Sequence, residues 1–368
     1  MLNNMPDPAL GQKILARLPS LAEKASRRLG RPPVLMEVCG THTMAIAKSG
    51  MRSLLAGHLE LRSGPGCPVC VTDQGDIDKM IALAGRPEVT IATFGDMLRV
   101  PGTDSSLEVE RARGARVEIF YAPADAVEFA AGSPEKEIVF LGVGFETTIP
   151  AVALSLELAV AQGLRNYSVL SSHKLVPPVM KALLSDPELK IDGFILPGHV
   201  CAVTGRQAFE FISGEYHIPA VITGFEPLDL LASVCLLLNQ IADGRPETVN
   251  GYTRLVREEG NKKARAIMEK YFEPADALWR GFGLVPQSGL ALKKEYSLYD
   301  AAARFPLQVP ASRPLIGCAC GDILKGKLTS PQCPLFAKSC TPLNPVGPCM
   351  VSSEGACAAY YQYEWAAK

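Results

Sequence analysis

Long apolar runs are missing from this chain of 368 residues. The most hydrophobic stretch, Leu230–Leu238, is bounded by Asp229 and Asn239, far short of the roughly 20 residues a membrane helix needs. Residues 1–20 hold no apolar run behind positive charge, so no secretory leader is read there, and a soluble, cytoplasmic protein is expected. Neither sign of charge is in excess: 37 basic side chains face 38 acidic ones, a net of −1. Nucleic acids and anionic membranes are bound through a basic excess, so neither is an expected partner. With 48% apolar residues, the composition also rules out wholesale disorder.

Cysteine is what the chain has in quantity. Eleven are present, an odd number, which makes a poor disulfide framework in a reducing compartment and points to metal or redox chemistry. Cys39, Cys67 and Cys70 lie near the front, Cys201 and Cys235 are scattered, and six crowd into residues 318–368.

Between these groups the pattern is α/β. Residues 8–29 have helical spacing ending at Gly30, with Pro19 expected to break or kink the helix. Short Val/Ile-rich runs at 34–38, 89–93, 117–121, 138–143, 168–171, 193–196 and 220–223 alternate with helical patterns, the mark of buried parallel strands. Two such blocks look duplicated. Residues 36–43 resemble 141–148, 65–72 align without gaps to 197–204, and 91–98 echo 221–228. Two similar Rossmann-like domains with parallel sheets follow, at residues 33–130 and 131–248. After about residue 250 come a charged helical stretch (252–271), a Gly/Pro-rich segment (281–289), and the cysteine-rich tail.

Four constellations carry chemistry. In the tail, Cys318, Cys333, Cys340 and Cys357 are separated by 14, 6 and 16 residues, with Cys320 and Cys349 in addition. Four thiolates in proline-bearing loops suit an iron–sulfur cluster; structural zinc is the rival, but its usual Cys-x-x-Cys knuckles are missing from the tail. Cys67-Pro68-Val69-Cys70 reads as a redox dithiol on a loop, or as half of a zinc site. Cys39-Gly40-Thr41-His42-Thr43, at a predicted strand end, offers a thiolate and an imidazole for iron, copper or zinc, or simply a buried cysteine beside capping threonines. The turn Gly142–Thr148 lacks the full Gly-x-Gly-x-x-Gly spacing and a P-loop lysine; its Glu146 is a candidate general base, ligand partner or helix-start acid. His199, also at a predicted strand end, is placed in the cleft.

The motifs CGTHT (39–43), GPGCPVC (64–70), GFETT (144–148) and PGHVCAVTG (197–205), followed by the spaced tail cysteines, resemble in this order the hydrogenase maturation protein HypD family. The resemblance runs over essentially the whole chain. It implies a cytoplasmic assembly scaffold for nickel–iron hydrogenase. Together with HypC it would hold one iron while two cyanides and one carbon monoxide are attached to give an Fe(CN)2CO unit. HypE would donate the cyanide, and the hydrogenase large subunit would receive the product. In that picture Cys39 is the iron ligand with His42 beside it, and Cys67 and Cys70 are the adjacent redox pair. Cys318, Cys333, Cys340 and Cys357 hold a 4Fe–4S cluster, and Cys320 and Cys349 form a second dithiol. The implied fold adds to the two α/β domains an iron–sulfur domain built from both termini, with residues 1–32 packing on residues 249–368. HypC is expected to dock in the cleft between the α/β halves, near Met44 and Met51. The competing reading is an iron–sulfur thiol–disulfide oxidoreductase acting on other proteins through Cys67 and Cys70. A zinc-stapled interaction module is the third.

Overall fold

The computed structural model describes residues 7–307, 309, 312–313 and 315–365. Eleven strands are present among them: β1 (Val34–Glu37), β2 (Glu60–Ser63), β3 (Val89–Thr93), β4 (Arg116–Ile119), β5 (Glu137–Gly142), β6 (Tyr167–Ser171), β7 (Gly193–Pro197), β8 (Ala220–Thr223), β9 (Thr248–Asn250), β10 (Phe272–Trp279) and β11 (Gly283–Leu292). One all-parallel sheet runs β2-β1-β7-β8-β9, a second runs β4-β3-β5-β6, and β10 and β11 form an antiparallel hairpin. The α/β class with two parallel, Rossmann-like sheets is as the alternating pattern implied.

Strand periodicity decides where the cores sit. In the five-stranded sheet Leu35, Leu61, Ile195 and Val221 face one core, while Met36, Phe194, Leu196 and Ile222 face another. In the four-stranded sheet Ala92, Ile138, Phe140 and Val169 face a third core, and Ile91, Val139, Leu141 and Leu170 join the same core as Met36. Successive side chains of a strand point to opposite faces, so one face of each sheet feeds a shared central core. Cys67, Cys70, Cys320, Cys333, Cys340, Cys349 and Cys357 lie in that central core.

Three sequence expectations need revision. The sheets do not follow a division at residue 130: β1 pairs with β7 through Leu35↔Gly193 and Met36↔Phe194, so β1 and β2 join a sheet completed by β7–β9, and β3–β6 form the other. The two sheets do share a strand order, with the first strand in second place, but the equivalent pairs are β1/β3, β2/β4, β7/β5 and β8/β6. The aligned sequence blocks had matched β1 to β5, β2 to β7 and β3 to β8. A buried parallel strand running through glycine into a helix start reads alike wherever it occurs, so the alignment matched junctions rather than topological partners. Finally, the helix Pro8–Leu29 is continuous through Pro19 and buries Leu18, Leu21, Ala22 and Ala25 in the same core as the helix Pro227–Asp243. Its apolar stripe is matched by Leu230, Leu231, Val234 and Leu238 on the outer face of the five-stranded sheet, a core separate from the one that holds the tail cysteines.

Candidate metal and thiol site

The topological switch of the five-stranded sheet lies between β1 and β7, and ligands of open α/β sheets gather beyond the strand ends at such a point. After β1, Val38 N–H still bonds Ile195 O (3.1 Å). The chain then turns at Cys39, the extended N-cap of the helix Gly40–Lys48. Glu37 is buried beneath the turn and accepts from Cys39 N–H (3.0 Å) and Thr43 Oγ1–H; burial raises its carboxyl to about 7. Cys39 keeps partial exposure. The packing around it, with Glu354 and Glu37 near, pushes its thiol up to about 12 against the pull of the His42 and Thr41 amides.

His42 is fully buried one turn on. Its Nε2 lies 2.9 Å from Gly224 O, and since a carbonyl only accepts, the proton is assigned to Nε2. Burial lowers the imidazole to about 4, leaving it neutral with an Nδ1 lone pair that has no partner among the described residues. A neutral imidazole with an open nitrogen is the form that ligates metals. Phe225 sits between two histidines, 4.6 Å from His42 and 4.0 Å from His199 by ring centroids. His199 is thus brought beside His42 across Phe225, a residue the sequence motifs did not single out. Its only signal was the Gly-Phe pair just beyond β8.

The dithiol loop is clamped to Cys39 by backbone. Gly40 N–H donates to Gly66 O (2.8 Å), and a Cβ on Gly66 would stand 2.1 Å from Cys39 N, so only glycine fits. Cys67 then caps the short helix Pro68–Val71, leaving Cys67 and Cys70 buried with their sulfurs 2.6 Å apart. Burial pushes the Cys70 thiol up.

The tail closes over both motifs. A Cβ on Gly40 would meet Glu354 Cβ at 2.6 Å, and Thr41 Oγ1–H donates to Glu354 Oε1 (2.6 Å). The Cys349 thiol is a neighbour of those of Cys70 and Cys320, and the Cys320 thiol of that of Cys318, each shifting the others' ionisation. Cys67, Cys70, Cys349, Cys320 and Cys318 are thus neighbours in turn. Cys357, its thiol raised to about 12 by burial, also feels Cys333, Cys340 and Cys318.

Among the described residues no group of three or more His, Cys, Asp and Glu side chains already converges on a single-ion site. Cys318, Cys333, Cys340 and Cys357 are a four-thiol donor set of the kind that could hold a cluster. Sulfurs at the corners of a four-iron cube stand farther apart than ligands around one ion. Val346 N–H donates to Cys340 Sγ (3.3 Å), and Cys318 Sγ fills the place a Cβ on Gly347 would take, 2.5 Å from it.

Glu146 belongs to the other sheet, beyond β5. It is buried, its Oε1 accepting from Val176 N–H (2.9 Å) and its Oε2 without a partner among the described residues. Burial raises it to about 7. It lines a cavity of about 760 Å³ with Thr204, Gln207, Lys262 and Arg265. Burial, with Glu146 and Cys39 near, raises the buried thiol of Cys201. Ser171 ties the end of β6 to the hairpin, its Oγ donating to Leu290 O (2.6 Å), and lies 3.1 Å from Nδ1 of His173. Met51, expected on a docking surface, is wholly buried, while Met44 is partly exposed.

Fold and site together define a Rossmann-like α/β protein with thiols gathered at a sheet switch point. A family model described as "HypD: Hydrogenase formation hypA family" matches residues 12–364. The chain is 44% identical over 362 residues to a hydrogenase maturation factor HypD of Rhodobacter capsulatus, covering 97% of this chain and 96% of that one. It is 43% identical over 362 residues to the hydrogenase maturation factor HypD of Escherichia coli K12, covering 96% and 95%. With the hydrogenase expression/formation protein HupD of Azotobacter chroococcum mcd 1 it shares 45% identity over 364 residues, covering 97% and 95%. The chain belongs to the HypD family of hydrogenase maturation factors. Among the described residues no helix is long and apolar enough to cross a membrane.

Proposed function

We propose that this chain is the scaffold on which a single iron, its cargo, receives cyanide and carbon monoxide during hydrogenase maturation. HypC would be its direct partner, HypE the cyanide donor, and the hydrogenase large subunit the eventual recipient. Cys39 would grip the iron, with the open Nδ1 of neutral His42 beside it and Phe225 fixing the ring. The observation that carries the reading is the succession of neighbouring thiols from Cys67 to Cys318, clamped at one end to the Cys39 turn through Gly66.

That line supplies what the chemistry requires. Cyanide arriving bound to sulfur as R–S–CN needs two electrons to leave as cyanide and a thiolate. Oxidation of Cys67 and Cys70 to a disulfide releases two electrons and two protons, which balances the step. Disulfide exchange through Cys349 and Cys320 would restore the pair. A 4Fe–4S cluster on Cys318, Cys333, Cys340 and Cys357 would supply one-electron transfer at the far end. The oxidoreductase reading needs a dithiol that meets a protein substrate, and full burial of Cys70 with Cys67 speaks against it.

The test uses Cys320→Ser and Cys349→Ser chains, each co-produced with HypC and HypE and purified anaerobically. Infrared absorption of the triple-bonded iron ligands should be lost or fall at least tenfold in both, with iron content at the tail retained. Normal band intensity in both variants contradicts the relay.

A further inference from the structure

The cavity of about 760 Å³ at Glu146 is walled by three parts of the chain. Glu146 and Leu175 come from beyond the ends of β5 and β6, Thr204 and Ala208 from the segment after β7, and Ala266 and Met268 from the helix Lys262–Tyr271. Small-ligand pockets form where structural units meet. Here two of the parts are locked together. Gly205 (φ +87°) and Gly260 (φ +70°) meet backbone to backbone: a Cβ on Gly205 would stand 2.6 Å from Gly260 N, and one on Gly260 2.5 Å from Gly205 N. Asn261 N–H donates to Val203 O (3.0 Å) and Gln207 N–H to Glu258 O (3.2 Å). Gly205 closes the motif PGHVCAVTG, and this contact explains why that position is glycine.

Charge decides what the cavity can hold. Its other carboxylates are each paired: Glu259 with Lys262, Glu269 with Arg265 (3.8 Å) and Glu258 with Arg206 (2.8 Å). Glu146, only 3% exposed, pairs with no cation among the described residues. Its Oε1 accepts from Val176 N–H, and its Oε2 has no hydrogen-bond partner among the described residues. A buried carboxylate without a counter-charge is costly, so one cation is what the cavity lacks.

The walls select the kind of cation. Leu175, Val203, Ala208 and Met268 are apolar and suit an alkyl stem. With Oε1 spent, Glu146 offers a single oxygen, which matches the point charge of an ammonium and not the two-pronged guanidinium. Thr204 Oγ1, its proton given to Val200 O (3.1 Å), is a further acceptor on the wall. Among the described residues no group of three or more His, Cys, Asp and Glu side chains converges here, so a metal ion lacks the oxygen ligands it requires.

We propose that this cavity binds a primary aliphatic amine, its ammonium on Oε2 of Glu146 and its alkyl chain along Leu175, Val203 and Met268. A free alkylamine and the lysine side chain of a partner protein carry the same chemistry. No covalent bond forms, and a proton held by Glu146 passes to water as the ammonium arrives.

The experiment is isothermal titration calorimetry of the full chain at pH 8, where Glu146 is ionised. The probes are 1-pentylamine, Nα-acetyl-lysine methylamide and, as the uncharged control, 1-pentanol. Wild type should bind one amine per chain, and the alcohol roughly tenfold more weakly or less. Glu146→Gln should weaken the amine by roughly tenfold or more and leave the alcohol unchanged. Ala266→Trp, placed on an exposed position of the helix, fills the cavity and should abolish binding of both. No saturable amine binding by wild type, equal affinity for amine and alcohol, or an unchanged amine affinity in Glu146→Gln overturns the proposal. If Glu146→Gln fails to fold, Ala266→Trp and the alcohol decide, and wild-type amine affinity in Ala266→Trp overturns it. Tighter binding of the lysine derivative assigns the amine to a partner's side chain, and tighter binding of pentylamine to a free ligand; either order upholds the site.

Discussion

Glu146 shows how a single side chain couples the site to pH. Burial lifts its carboxyl from 4.5 to about 7, so between those values the folded chain keeps a proton that the unfolded chain has lost. Stability therefore falls as pH rises through that window and levels off above it; Glu37, lifted to about 7 as well, adds to the same trend. Glu146→Gln keeps an oxygen for Val176 N–H and cannot ionise. Above pH 7 it should be more stable than wild type, by an amount on the order of 3 kcal/mol, and the gap should close toward pH 4.5. Denaturant titrations at pH 5 and pH 8 check this; equal differences at both pH values would contradict it. The sequence named Glu146, His42 and Cys39 as candidates, because acids, imidazoles and thiols at predicted strand ends are recognisable. It did not disclose the unpartnered Nδ1 or Phe225 between two imidazoles, since those depend on β8 lying beside β7 in space, nor the unpartnered Oε2, which depends on Val176 packing over the end of β5.

Among the elements, β1, β3, β5, β6, β7 and β8 were legible because burial on both faces leaves a continuous apolar run, while the exposed edge strand β4 was legible through Val117 and Ile119. β2 (Glu-Leu-Arg-Ser) and β9 (Thr-Val-Asn) are too short and polar to carry such a signal. The hairpin was hidden by Pro274, Pro286 and three glycines, Gly281, Gly283 and Gly289, and by a register shift between Ala275 and Ala277. Yet it is firmly anchored: Trp279 is wholly buried, stacks on Phe145, and donates from Nε1 to Ser288 Oγ (2.7 Å). Ser288→Ala strips that acceptor and leaves a buried N–H unsatisfied, a loss of about 1–3 kcal/mol. Urea denaturation followed by tryptophan fluorescence checks it, and a loss below about 0.5 kcal/mol would show that another group takes the indole proton.

At the scale of the molecule, the chain threads one sheet, builds the other, and returns. That path brings GPGCPVC and PGHVCAVTG to one sheet's strand ends and lets the tail close over them. The sequence could not display this return, because interleaving depends on which strands pair and not on the composition of any one. The grouping of sulfurs was legible as a list of motifs; their order in space, Cys67, Cys70, Cys349, Cys320, Cys318, was not, because Cys349 and Cys320 meet only when the tail folds back. Cys39 is set apart from this line by chemistry, with His42 and Phe225 beside it and an acid, Glu37, beneath.

The central claim is that two distinct iron-holding places coexist, a lone iron at Cys39 and a cluster at the tail. Anaerobic counting of iron and sulfide on the chain purified with HypC, for wild type and for Cys39→Ala, tests it most directly. The account predicts that Cys39→Ala loses one iron per chain, keeps its sulfide, and loses the infrared bands of the iron ligands. Unchanged iron with those bands intact would contradict it.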